Sequence, residues 1–324
     1  MRFATYLHQD REHCGVVVDD AIYPLQEGTT VLALIEQGSL LEEGTAALDR
    51  TATLDRPDTV AVADVRLLPP LHPPSIRDFI GFEAHIEGVV QAQEGLATVP
   101  PAWYEAPAFY FTNPHAVIGA HDPVEIFPGA QAFDFEGEVG TVIGRAGRNL
   151  TPEQARDHIV GYTLFNDWSA RDIQKLEGRL PFGFAKGKDG AHTLGPWLVT
   201  ADELEEFRQP DGYLDLTMTI ELNGTVLGKD SLASMSWLPE EQVAYASRGT
   251  WVQPGDVLGT GTFGGGCLAE LWGRAGRREP PPLKPGDVVT FTVEGIGTIS
   301  NTVIASPTPP EITPARTRSR GPRH

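Results

Sequence analysis

Residues 133–140 read Phe133-Asp-Phe-Glu-Gly-Glu-Val-Gly140 and alternate strictly. In an extended chain Phe133, Phe135 and Val139 fall on one face, and Asp134, Glu136 and Glu138 on the other. A period of two predicts a strand. Its polar face carries three like charges with no lysine or arginine interleaved. Either solvent screens them or a cation sits among them, and carboxylate oxygens are what a hard ion such as Mg²⁺, Mn²⁺ or Ca²⁺ takes. The pattern alone leaves both readings open.

Outward from this strand the chain keeps a β signature. It holds 35 glycines and 27 prolines in 324 residues, against roughly 12% expected for the two together, so many turns and short strands are expected. Asn223-Gly224 separates two apolar runs and predicts a hairpin, because a type I′ turn needs positive φ at both central residues. Pro254-Gly-Asp256 and Pro285-Gly-Asp287 each lead into a β-branched run as turns. Helices are few. Thr151-Pro-Glu-Gln154 is a capping box with proline at the first helical position. Thr30–Gln37 is a helical patch, and Arg77–Gln93 reads as a helix with Phe79, Phe82, Ile86, Val89 and Val90 on its apolar side. Residues 166–174, if helical, set Asp167, Arg171 and Gln174 on one stripe. Alone, that stripe is an ordinary exposed Asp–Arg pair.

Residues 1–66 read as a small N-terminal β unit, with Gly15–Val18 and Ala21–Leu25 as strands. Leu67-Leu-Pro-Pro-Leu-His-Pro-Pro-Ser75 is a stiff connector, and the domain boundary falls there. A larger β-rich unit spans 67–305. The proline-rich, basic segment 306–324 is expected to be a disordered tail.

The chain carries 25 basic and 44 acidic residues, a net charge of −19. Such a surface repels nucleic acid and anionic lipid, and no window has the apolar length of a membrane span. The opening MRFATYLHQDREH has no signal-like apolar run. The two cysteines, Cys14 and Cys267, make no disulfide framework. A reducing, cytoplasmic location is the expectation. Gly259-Thr-Gly-Thr-Phe-Gly264 fits G-x-G-x-x-G, but prolines 280–282 and 285 interrupt the helix and second strand that a dinucleotide fingerprint needs. It is read as a turn lining a substrate cleft.

Five motifs, in order, resemble the fumarylacetoacetate hydrolase family. They are Arg77-Asp-Phe-Ile-Gly-Phe-Glu-Ala-His85, Phe135-Glu-Gly-Glu138, Asn166-Asp-Trp-Ser-Ala-Arg-Asp-Ile-Gln174, Lys186-Gly-Lys-Asp189 with Leu194-Gly-Pro-Trp197, and Gly259-Thr-Gly-Thr262 leading to Glu270. The resemblance implies a β-rich α+β fold, a mixed β-roll in a homodimer, with a divalent metal, Mg²⁺ first, on Asp78, Glu136, Glu138 and Asp167. Smaller members use three acids, and Asp78 is the fourth. The implied activity is hydrolysis of a C–C bond in a 1,3-dicarbonyl (2,4-dioxo) acid, with 2-oxo acid decarboxylation or dienedioate isomerisation as alternatives. Such a metal acts as a Lewis acid on the chelating oxygens.

The resemblance further implies His85 as base with Glu270 as its carboxylate partner, and Lys188 as oxyanion donor with Lys186 its competitor. It implies substrate contacts from Arg171, Gln174 and Thr262 to a small acidic substrate. Glu87, two residues from His85, does not share its helix face. Asp134 has no family role and is read as a surface acid. His192 stands where a threonine is expected, and Gly190 replaces a bulkier residue. Ile80 and Gly178 hold no counterpart of the substrate-contacting tyrosines of the family's namesake.

Overall fold

The structure is a computed structural model that describes residues 1–52, 59–94, 98–180 and 183–316. Among the described residues a twelve-stranded mixed sheet forms the frame. Its middle is the antiparallel set His192–Thr200, Ile159–Asp167 and Gly137–Ile143, followed by Val257–Gly259. Val257–Gly259 pairs in parallel with Ile76–Phe79, which pairs in turn with Phe109–Thr112. A five-stranded sheet, Thr225–Ser231, Thr217–Leu222, Val288–Val293, Gly297–Ile304 and Val124–Glu125, covers one side. The order is open in both sheets, and together they make the sheet-rich α+β fold that the resemblance implied.

The N-terminal strand Arg2–His8 pairs with His192–Thr200 through Arg2–Val199 and Phe3–Leu198. One apolar cluster joins Phe3, Val16 and Leu34 to Val142, Phe165 and Leu194. The division drawn near residue 67 is therefore no break in the sheet or the core. Residues 306–316 carry no regular structure, and the end of the tail, with Arg318, Arg320 and Arg323, lies outside the described residues.

Local chemistry places several elements as expected. Thr30 caps Val31–Gln37, and Thr151 and Gln154 close a capping box on Pro152–Arg156. Asn223 and Gly224 take φ of 53° and 75° between the strands Thr217–Leu222 and Thr225–Ser231.

Three readings are corrected. Residues 77–79 are not helical; they form a strand clamped between two others, and the helix starts only at Glu83 and runs to Glu94. The acidic strand is interrupted: Phe133–Asp134 pairs with Ser169–Ala170, and the longer strand starts at Gly137. Residues 166–174 are not one helix either. Asp167 ends the strand Ile159–Asp167, and only Arg171–Glu177 is helical. In each case long-range pairing outweighs local periodicity.

Candidate metal centre and histidine–carboxylate site

The central strands bring four acids to one end of the sheet. Asp78 stands on Ile76–Phe79, Glu138 on Gly137–Ile143, Asp167 at the end of Ile159–Asp167, and Glu136 in the break before Gly137. Ligand atoms of Asp78, Glu136 and Asp167 lie within 4.8 Å of one another, all buried. Glu138 lies beside Asp78 against Gly259. A Cβ on Gly259 would lie 2.5 Å from Asp78 Oδ1 and 2.8 Å from Glu138 Oε2, so only glycine lets the two carboxylates meet there. The G-x-G-x-x-G loop faces this cluster: Gly261 N–H donates to Glu138 Oε2 (2.9 Å) and Thr262 Oγ1 to Glu138 Oε1 (3.2 Å).

Two cations answer the acids. Lys188 donates to Glu136 and, at 2.5 Å, to Asp167 Oδ2. Arg171 Nη1 lies 2.7 Å from Glu136 Oε1. Burial alone would raise the Glu136 carboxyl, but Arg171, Lys188 and His85 outweigh it and hold it below its ordinary range. Asp167 is likewise held low against burial by Lys188 and His192. At Asp78 and Glu138 burial, then the neighbouring acids, win and push both carboxyls well above their usual range, at Asp78 against the pull of Lys188.

The donor set fits a divalent ion. It is all carboxylate, it exceeds the positive charge supplied by protein, and the buried Asp78 Oδ1 has no hydrogen-bond partner. Unpaired buried acids of this kind are costly unless protonated or on a cation.

His85 stands on the helix Glu83–Glu94 above the acids. Its Nε2 is 3.6 Å from Glu136 Oε1 and its Nδ1 is 3.7 Å from Glu270 Oε2. Glu270 is fully buried, accepts the Gly265 N–H on both oxygens at 2.8 Å, and pairs with Arg274. Gly88 permits this approach, since a Cβ there would sit 2.4 Å from Glu270 Cγ. Glu87 is exposed on the far face.

The other expected residues are close by. Gln174 is buried and accepts from Arg171 Nη1 at 3.2 Å. Lys186 lies on the surface with Asp189, which leaves Lys188 as the buried lysine. A cleft of about 530 Å³ lined by Phe111, Thr112, Phe184 and Lys186 opens beside them. At Gly190 a Cβ would meet the Phe127 ring at 2.2 Å, so Phe127 fills the space that a side chain there would need.

The sequence reading missed the roles of several groups. Asp134 is no surface acid. It is buried, accepts Arg171 Nε at 2.8 Å and caps the helix Leu268–Ala275 through the N–H groups of Leu268 and Ala269. Tyr110 donates to Asp78 Oδ2 (2.8 Å) and to Asp167; in the sequence it sits in an aromatic run indistinguishable from core. His192 places Nδ1 at 3.0 Å from Asp167 Oδ1 and Nε2 at 2.8 Å from Thr112 Oγ1, so an imidazole supports the acid from behind.

Among the described residues no helix is long and apolar enough to cross a membrane.

Comparison with known proteins agrees with this geometry. The model of the fumarylacetoacetate (FAA) hydrolase C-terminal domain matches residues 76–304, more than half of the chain. Oxaloacetate tautomerase fahd2, mitochondrial, of Xenopus laevis is 34% identical over 58% of this chain and 55% of its own, so this chain spans little over half of that protein. Oxaloacetate tautomerase YisK of Bacillus subtilis is 30% identical over 75% of this chain and 74% of its own. The solved fumarylacetoacetate hydrolase from Exiguobacterium antarcticum superposes with a TM-score of 0.74 at 29% identity, covering 94% of this chain and all of that one. The chain belongs to the fumarylacetoacetate hydrolase family.

Proposed function

We propose that this protein is a divalent-metal-dependent hydrolase that cleaves a C–C bond in a small 2,4-dioxo acid. The observation that carries the reading is His85, held between Glu270 and an acid of the cluster, with Nε2 turned toward Glu136. Hard oxygen donors suit Mg²⁺ first, with Mn²⁺ or Ca²⁺ able to replace it. The bound ion supplies electrophilic stabilisation to oxygens that gain negative charge.

The protein's own groups do the rest. Glu270 takes the Nδ1–H of His85, which fixes the tautomer with a free Nε2 and stabilises the imidazolium. The 3.7 Å separation is of the loose kind that tightens when substrate is bound. Nε2 takes a proton from water, and the hydroxyl adds to the carbonyl carbon remote from the carboxylate. Lys188, its ammonium kept charged by Asp167 and Glu136 against burial, donates toward the developing oxyanion. The C–C bond then breaks, its electron pair leaves as the enolate of a 2-oxo acid, and His85 returns the proton to that carbon. Arg171 and Gln174 offer donors to the substrate's acid group. We further propose that the protein works as a homodimer.

The test is a screen of 2-oxo and 2,4-dioxo acids with several divalent ions. Turnover of a 2,4-dioxo acid that His85→Ala abolishes supports the hydrolase. Action on oxaloacetate alone, with no dioxo acid cleaved, overturns it. A second reading is tautomerisation or isomerisation of a 2-oxo acid, favoured by the names of the Xenopus and Bacillus relatives. Like 2-oxo acid decarboxylation, it needs no attacking water.

A further inference from the structure

Beside the carboxylate cluster, His85, Cys267 and Glu270 form a second group whose ligand atoms lie within 4.8 Å of one another. His85 Nδ1 is 3.7 Å from Cys267 Sγ and 3.7 Å from Glu270 Oε2. A tetrahedral centre with a metal–sulfur bond of about 2.3 Å and a metal–nitrogen bond of about 2.0 Å sets those two ligands roughly 3.5 Å apart. The three side chains are buried, Cys267 and Glu270 fully.

This donor set differs in kind from its neighbour. Sulfur, imidazole and one carboxylate select a softer ion than four carboxylates do. We propose that His85, Cys267 and Glu270 form an inhibitory site for Zn²⁺, distinct from the carboxylate centre, whose occupancy takes His85 out of use.

A second observation supports the assignment. A ligating histidine donates its other N–H to a carboxylate, which orients the ring, and Glu136 Oε1 lies 3.6 Å from Nε2. That tautomer frees Nδ1 for the ion. The proposed hydrolysis requires the opposite one, with Nδ1–H on Glu270 and Nε2 free, so zinc and turnover compete for a single imidazole. Cys267 is already fixed, because its Sγ caps the helix Leu268–Ala275 by accepting the Glu270 N–H at 3.4 Å. On binding, the thiol gives its proton to solvent and the thiolate bonds the ion. Three protein ligands leave a fourth position for water.

Co²⁺ serves as the optical probe, added to Mg²⁺-saturated protein. The expected result is a thiolate-to-cobalt charge-transfer band that saturates at one ion per chain and that Zn²⁺ displaces. Cys267→Ser, which keeps a capping oxygen, and Cys267→Ala lose the band while their thermal melts confirm the fold. In parallel both variants need more zinc for half-inhibition, by at least the roughly ten-fold that loss of even an outer partner costs. Absence of the band in the native protein, or its persistence in Cys267→Ser, overturns the site. The inhibition arm rests on the proposed role of His85, and the optical arm does not. A cysteine-dependent band without inhibition therefore overturns the inhibitory role and His85 as base, and leaves the carboxylate centre untouched.

Discussion

Arg171 donates its Nε to Asp134 across 2.8 Å, and the same carboxylate receives the first N–H groups of the helix Leu268–Ala275. One buried acid thus ties the substrate-side arginine to the helix that carries Glu270. Replacing Asp134 by Ala leaves the buried Nε of Arg171 and two helix N–H groups without an acceptor, while Nη1 keeps Glu136. The expected loss is about 3–5 kcal/mol of folding stability, measured by urea denaturation. Retention of native stability would show that the Nε and the two helix N–H groups find other acceptors.

Gly88 and Glu270 set the distance of the base from its carboxylate. Gly88→Ala places a methyl where Glu270 Cγ stands, at 2.4 Å, and the two helices must separate. We expect kcat to fall by about 10²-fold while metal affinity stays native, in steady-state kinetics beside calorimetric titration. Unchanged kcat would mean that His85 does not work through Glu270.

Gly259→Ala should do the reverse. Its methyl would sit against Asp78 Oδ1 and Glu138 Oε2, so metal affinity should drop by at least about ten-fold, read by titration calorimetry. The distance from His85 to Glu270 is not touched by this change.

The acids also predict a pH dependence. Asp78 and Glu138 are pushed up by burial and by neighbouring charge. A raised carboxyl contributes stability that is fully present below its unfolded value, about pH 4, and is lost as pH rises through its folded value. Metal-free protein should therefore melt at lower temperature as pH climbs, and a divalent ion should restore the loss. Binding must displace these protons. Calorimetry in two buffers of different ionisation enthalpy should register their release, and affinity should grow with pH.

Signals within a few residues were legible in the sequence. The capping box of Thr151 and Gln154, the helical patch from Thr30 and the turn at Asn223-Gly224 follow from chemistry that acts over one to four positions, and the structure contains them. Asp78, Glu136, Glu138 and Asp167 were legible through the motifs that hold them, and they do converge. What was not legible depends on partners far along the chain. Arg77 and Asp78 form a strand because Leu258 and Gly259 lie beside them. Asp134 is buried because Leu268 and Ala269 need an acceptor. Tyr110 and His192 reach Asp167 from separate strands; His192 stands out in the sequence only as a departure from the family motif, and no local pattern marks Tyr110.

Four buried carboxylates meet where the proposed reaction requires one divalent ion. The most direct measurement titrates chelator-stripped protein with Mn²⁺ while following cleavage of a 2,4-dioxo acid. The expected result is one ion per chain, product formation that rises with occupancy, and loss of both in Asp78→Asn and Glu138→Gln. Full turnover without the ion, or Mn²⁺ binding indifferent to both substitutions, would contradict it.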